Sequence, residues 1–137
     1  MDDAELWQRF SQQDLSHAEW NHVLHLRTAH LHASRFVFDE AHLRLRAGII
    51  RLNQRHGLEE SAQRGYFETL TRVWLHFVAV AARRCVPASS LELLARCPEL
   101  MDRHLPSRHY SPELLASARA RAIFVAPDLA PLPEKLG

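Results

Sequence analysis

The chain is poor in the residues that mark easily recognised protein classes. Cysteine occurs only at Cys85 and Cys97, in no short metal-ligand spacing, so the sequence indicates neither a disulfide scaffold nor a zinc ribbon. Together with the lack of a basic-then-apolar leader, this predicts a reduced, cytoplasmic chain. Glycine is limited to four residues, and no phosphate loop, dinucleotide fingerprint or serine-histidine-aspartate signature is present. The longest apolar run, 73–82, is interrupted by His76. It falls well short of the roughly 20 residues that span a bilayer, so it reads as a buried helix and no membrane partner is expected. Lysine is nearly absent: Lys135 stands alone among arginines, a bias given mainly to genome composition. With a net charge of +1, a general nucleic-acid or anionic-membrane binder is disfavoured, although a local basic patch stays open.

What is present favours helix. At 137 residues and 47% hydrophobic content, the chain suits one domain that buries its core without staples. Leucine, alanine, arginine and glutamate dominate, and β-branched runs are sparse. The expected fold is all-α, a single-domain bundle of about five to six helices over 1–126 with an irregular proline-rich tail over 127–137.

Local signals divide the bundle. Asp2 or Asp3 caps a first helix to about Gln13, with Leu6 and Phe10 facing inward. Ser16 and Glu19 form a capping-box pattern that predicts a second helix from there to about Ser34. Asp39 is the expected N-cap of a third helix over 40–56, ended by Gly57, with Gly48 allowing close packing. Gly65 is expected to cap a fourth helix over 66–84, apolar on most of its circumference and therefore central. Ser89 or Ser90 starts a short helix to Arg96, and Ser111-Pro112 starts one running to about Phe124.

The densest chemistry is Trp20-Asn-His-Val-Leu-His-Leu-Arg27. On a helix, His22 and His25 lie three residues apart, close enough to present two imidazoles to one ion. A protein metal site needs a further ligand, and Glu68, near the start of the fourth helix, is the candidate carboxylate. The plainer readings are hydrogen-bonded histidines for His22 and His25, and for Glu68 a helix-dipole acid paired with Arg72. His76 reads as a satisfied core histidine. Arg44, Arg51 and Arg55 share a stripe on the third helix that reads first as a solvated face and second as an anion grip.

Three segments, WNHVLHLR at 20–27, GYFETLTRVW at 65–74 and HYSPELLASARARAIFVAPDLAPLP at 109–133, together resemble a family of small, functionally uncharacterised bacterial all-helical proteins. The resemblance covers most of the chain in order and implies membership without a mechanism. It draws attention to His22, His25, Arg27, Glu68, Thr69, Thr71, Tyr110, Ser111, Ser117 and Arg121. The family often carries histidine where this chain has Phe67, a departure that weakens an enzymatic reading if that histidine is chemical.

The leading expectation is a small-molecule enzyme or binding protein with a divalent metal on His22, His25 and Glu68, and with Arg27 or Tyr110 orienting an anionic ligand. In a metal-free version one histidine is the general base, with Glu68 fixing its tautomer. The alternative is a noncatalytic helical interaction module, as a homodimer. A weaker one is nucleic-acid or anion binding through the arginine stripe and the cluster Arg103, His104, Arg108 and His109.

Overall fold

The computed structural model describes residues 1–61 and 63–134, and among them every regular element is helical. Seven α-helices follow in order: α1 (Asp3–Ser11), α2 (His22–Arg35), α3 (Phe38–Arg55), α4 (Glu68–Cys85), α5 (Ser90–Arg96), α6 (Pro112–Leu115) and α7 (Ala118–Ala122). Two short 3-10 turns, Pro98–Met101 and Leu105–Arg108, connect α5 to α6. Among the described residues, no helix is long and apolar enough to cross a membrane.

Several helix starts follow directly from capping chemistry. The Asp2 carboxylate accepts from the Glu5 amide at 2.8 Å and starts α1. Ser89 caps α5 through the Glu92 amide, and Ser111 caps α6 ahead of Pro112. The predicted helix to Phe124 breaks in two, because the Ser117 hydroxyl donates to the Leu114 carbonyl and accepts from the Ala120 amide. Ser117 therefore ends one helix and caps the next.

The second helix starts later than its capping box predicts. The box does form, with the Ser16 amide on Glu19 at 2.9 Å and the Glu19 amide on Ser16 at 3.1 Å. Arg9 also clamps the Glu19 carboxylate through both terminal nitrogens, at 2.8 and 2.9 Å, and that guanidinium holds the acid down at about 2. The box thus ties α1 to a single turn. Asn21, in an extended conformation, accepts from the Leu24 amide at 3.0 Å and begins α2 at His22. At the third helix Val37 occupies the N-cap position, while Asp39 lies inside the first turn, 3.7 Å from Arg72.

One hydrophobic cluster joins α1 to α5 and the turns that follow. Leu26, Leu52, Leu75 and Leu93 are fully or almost fully enclosed in it. Each contributes on the order of 1.5–3 kcal/mol by leaving water. As its composition predicts, α4 is central: its buried residues include Val73, Leu75, Phe77, Val78 and Val80, spread around the helix. It packs most extensively against α2 and also meets α3, α5 and α7. Gly48 lets α1 approach α3, since a β-carbon there would lie 2.3 Å from the Phe10 ring. The segment after α7 is held to α4 by Thr69, whose hydroxyl donates to the Ile123 carbonyl and accepts from the Val125 amide. His76 donates to the Pro133 carbonyl and is satisfied there. The tail 127–137 contains no helix up to residue 134, and its last three residues lie outside the described residues.

Candidate functional site: a histidine-lined aromatic cavity

Because Asn21 sets the start of α2, His22 and His25 fall on the first turn and a quarter of that helix, facing the space between α2, α3 and α4. That space is a cavity of ≈ 320 Å³, within the size range of small-molecule sites. His22, His25 and Ala29 line it from α2, and Leu45, Ile49 and Asn53 line it from α3. Leu70, Thr71 and Trp74 come from α4, with Trp20 and His17 from the turn before α2. His56, Leu58, Gly65, Tyr66 and Phe67 complete the wall. Gly65 makes that wall possible: its φ is +97°, and the Glu60 carboxylate occupies the place of a side chain while accepting from the Tyr66 amide at 2.8 Å.

The imidazoles are oriented to different degrees. His22 packs edge-on against Trp74 at 4.8 Å and donates Nε2–H to the Leu100 carbonyl at 3.0 Å, which leaves Nδ1 as the acceptor. His56 donates Nε2–H to the Leu15 carbonyl at 2.7 Å and meets His17 edge-on at 5.5 Å. His25 lies 4.0 Å from the Trp20 ring and has no hydrogen-bond partner among the described residues. Its ring borders the cavity, and the residue is exposed to solvent. Protein packed around the ring removes part of its hydration, and together with the neighbouring His22 and Arg103 this pushes the imidazole down to about 4. His25 is therefore neutral near pH 7, with a ring nitrogen free to accept a hydrogen bond.

Glu68 belongs to a separate cluster beside this cavity. Its carboxylate accepts from His42 Nε2 at 2.7 Å and from the Tyr66 hydroxyl at 2.8 Å on one oxygen, and from Arg46 Nη1 at 2.8 Å on the other. Burial raises this carboxyl, but the hydrogen bonds from Tyr66 and His42 and the charges of His42 and Arg46 outweigh it and keep it below its ordinary value. Burial and the same bond push the Tyr66 phenol up. Tyr66 is the one residue common to the cavity wall and the cluster. The structure thus brings His22 and His25 to one cavity and places the Glu68 carboxylate with other partners. Among the described residues, no group of three or more histidine, cysteine, aspartate or glutamate side chains is arranged to hold a metal ion.

Arg27 and Tyr110 lie away from the cavity. Arg27 is buried and donates to Ser90 Oγ at 2.8 Å, to the Met1 carbonyl at 2.7 Å and to Asp3 at 3.3 Å, locking α1 to α5. Tyr110 is fully buried and donates to the Val125 carbonyl at 2.7 Å; burial pushes its phenol up to about 12. In the arginine stripe, Arg44 lies over Phe36 and 3.5 Å from Glu40, while Arg51 and Arg55 are exposed. In the second cluster Arg108 faces Asp102 at 3.6 Å, and His109 donates to the Pro131 carbonyl.

Periodicity had no means of finding His17, His56 and Trp74 as cavity residues, since each comes from a different segment. His42 and Arg46 carry a weak signal, one turn apart on the third helix, but nothing local ties them to Glu68. No family model, curated protein or solved structure matches the chain.

Proposed function

We propose that the protein is a small-molecule binding protein whose site is the cavity between α2, α3 and α4. Its ligand is a flat, uncharged aromatic molecule carrying a hydrogen-bond donor, of the phenol or indole kind. The observation that carries this reading is the composition of the wall: among the described residues it holds four imidazoles and the rings of Trp20, Tyr66, Phe67 and Trp74, but no charged side chain. Apolar walls with a few polar atoms favour ligands that lose little hydration on entry, whereas an ionised ligand would be desolvated with no opposite charge in the wall itself.

His25 gives the site its polarity. Its neutral ring accepts the ligand's O–H or N–H, and Trp20 and Trp74 stack on the ligand's faces. In an enzymatic version of the same site His25 takes that proton as a general base. Phe67 supports a ring-binding site over a metal site, since it supplies a ring where the resembled pattern carries an imidazole. Three matched probes test the reading by NMR titration: 2-naphthol, naphthalene and 2-naphthoate. The neutral donor is expected to bind best, with shifts concentrated at Trp20, His25 and Trp74. Naphthalene lacks the donor and is expected to bind roughly fivefold to tenfold more weakly, the worth of one hydrogen bond of about 1 kcal/mol. The reading fails if none of the three binds, or if the carboxylate binds best.

A further inference from the structure

Independently of the cavity, we infer that Cys85 and Cys97 form a reversible thiol–disulfide pair that takes a small-molecule disulfide as its oxidising partner. Cys85 ends α4, and Cys97 directly follows α5. The two segments fold back on each other through the left-handed turn at Val86, where φ is 45°. This brings the two sulfurs to 2.7 Å, inside the ordinary separation of unbonded sulfur atoms and longer than the ~2.05 Å of an S–S bond. The fold holds this register by more than the sulfurs. Arg96 donates to the Cys85 carbonyl at 2.6 Å, and the Ala88 amide donates to the Glu92 carboxylate at 2.9 Å, so the loop 86–89 is clamped at both ends.

The two thiols differ in access, which sets the order of events. Cys85 is half-buried, whereas Cys97 is buried and its thiol is pushed up to about 12, first by burial and then by the bond to Cys85. Cys85 is thus the sulfur that a reagent reaches. Its thiolate attacks one sulfur of the small disulfide RSSR, forming a mixed disulfide and releasing one RS⁻. Cys97, already in contact, then gives up its proton and attacks the Cys85 sulfur, releasing the second RS⁻. The net change is oxidation of two protein thiols to one disulfide and reduction of RSSR to two thiols, with both protons passing to the released thiolates. The product ties the end of α4 to the end of α5, the helix that already holds α1 and α2 through Ser90 and Arg27.

The experiment is titration of the reduced full-length protein with oxidised glutathione, followed by intact mass and by the melting temperature. The wild type is expected to lose two hydrogens, to retain no glutathione, to become inert to alkylation and to melt at higher temperature; added dithiothreitol reverses all four. Cys97→Ser is expected to stop at a stable glutathione adduct on Cys85, and Cys85→Ser to remain unmodified over the same time. Persistence of two alkylatable thiols in folded wild-type protein at equilibrium with excess oxidised glutathione overturns the inference. So does accumulation of a stable wild-type adduct, because contact between the sulfurs would then not lead to exchange. Circular dichroism of each variant establishes that it is folded before comparison.

Discussion

Two polar groups sit side by side in this molecule and are built on opposite terms. Around Glu68 each carboxylate oxygen has a donor, and His42, Arg46 and Tyr66 all converge on it. Across Tyr66, the cavity holds imidazoles with nitrogens left open, His25 most of all. A cluster whose partners are all internal joins α3 to α4 and stabilises the fold. A wall of aromatic rings with a neutral, solvent-accessible acceptor leaves that acceptor open to a ligand. Residue types alone do not separate the two, since both contain histidine beside tyrosine.

Substitutions that divide stability from binding sharpen this contrast. The largest effect is expected from Glu68→Ala, which leaves His42, Arg46 and the Tyr66 hydroxyl without their common acceptor. A loss of about 3 kcal/mol in urea denaturation is expected. Arg27→Ala removes the donor to Ser90, Asp3 and the Met1 carbonyl, while the Ser90–Asp3 bonds remain; it is expected to cost about 2 kcal/mol, yet to leave 2-naphthol affinity unchanged within twofold. A large drop in affinity with this variant would return Arg27 to the ligand site. Tyr66→Phe touches both regions: removing one donor from Glu68 is expected to cost about 1 kcal/mol while the ring stays in the cavity wall. His25→Phe is expected to change stability by less than about 0.5 kcal/mol, because no internal bond is broken. It is also expected to abolish the preference for 2-naphthol over naphthalene.

The acid limb of stability reads the lowered imidazoles. Burial places His30 and His32 below the 6.5 of an ordinary imidazole, and local desolvation beside His22 and Arg103 places His25 at about 4. The unfolded chain therefore binds protons before the folded one does as pH falls. Stability is full above about pH 6.5 and declines from there toward pH 4. Melting temperatures across that window are expected to fall, and His25→Gln is expected to flatten part of the slope. An unchanged slope in that variant would mean that the His25 imidazole is not lowered by its surroundings.

The sequence made the local decisions legible and the convergent ones not. Asp2, Ser89 and Ser111-Pro112 act on amides within three residues, so their helix starts are written in adjacent letters. The Ser16–Glu19 box is equally local, but Arg9 and Asn21 change what it begins. Ser117 carries the same lesson, since a serine within an apolar helical pattern also has the choice of ending it. His22 and His25 were visible as neighbours on one helix, and they do share a cavity. The partners of Glu68 were not visible, because His42 and Arg46 reach it from α3 across 26 and 22 residues of chain. Arg27 and Tyr110 stand out in the sequence for their polarity, and the structure uses that polarity in buried bonds between segments.

The most direct test of the open acceptor is the protonation of His25 itself, followed by the nitrogen resonances of its imidazole from pH 7.5 to pH 3.5 with and without 2-naphthol. A ring neutral down to about pH 4 and a marked shift of one ring nitrogen on addition of the naphthol are expected. Titration near pH 6.5, with no response to the ligand, would contradict the open acceptor.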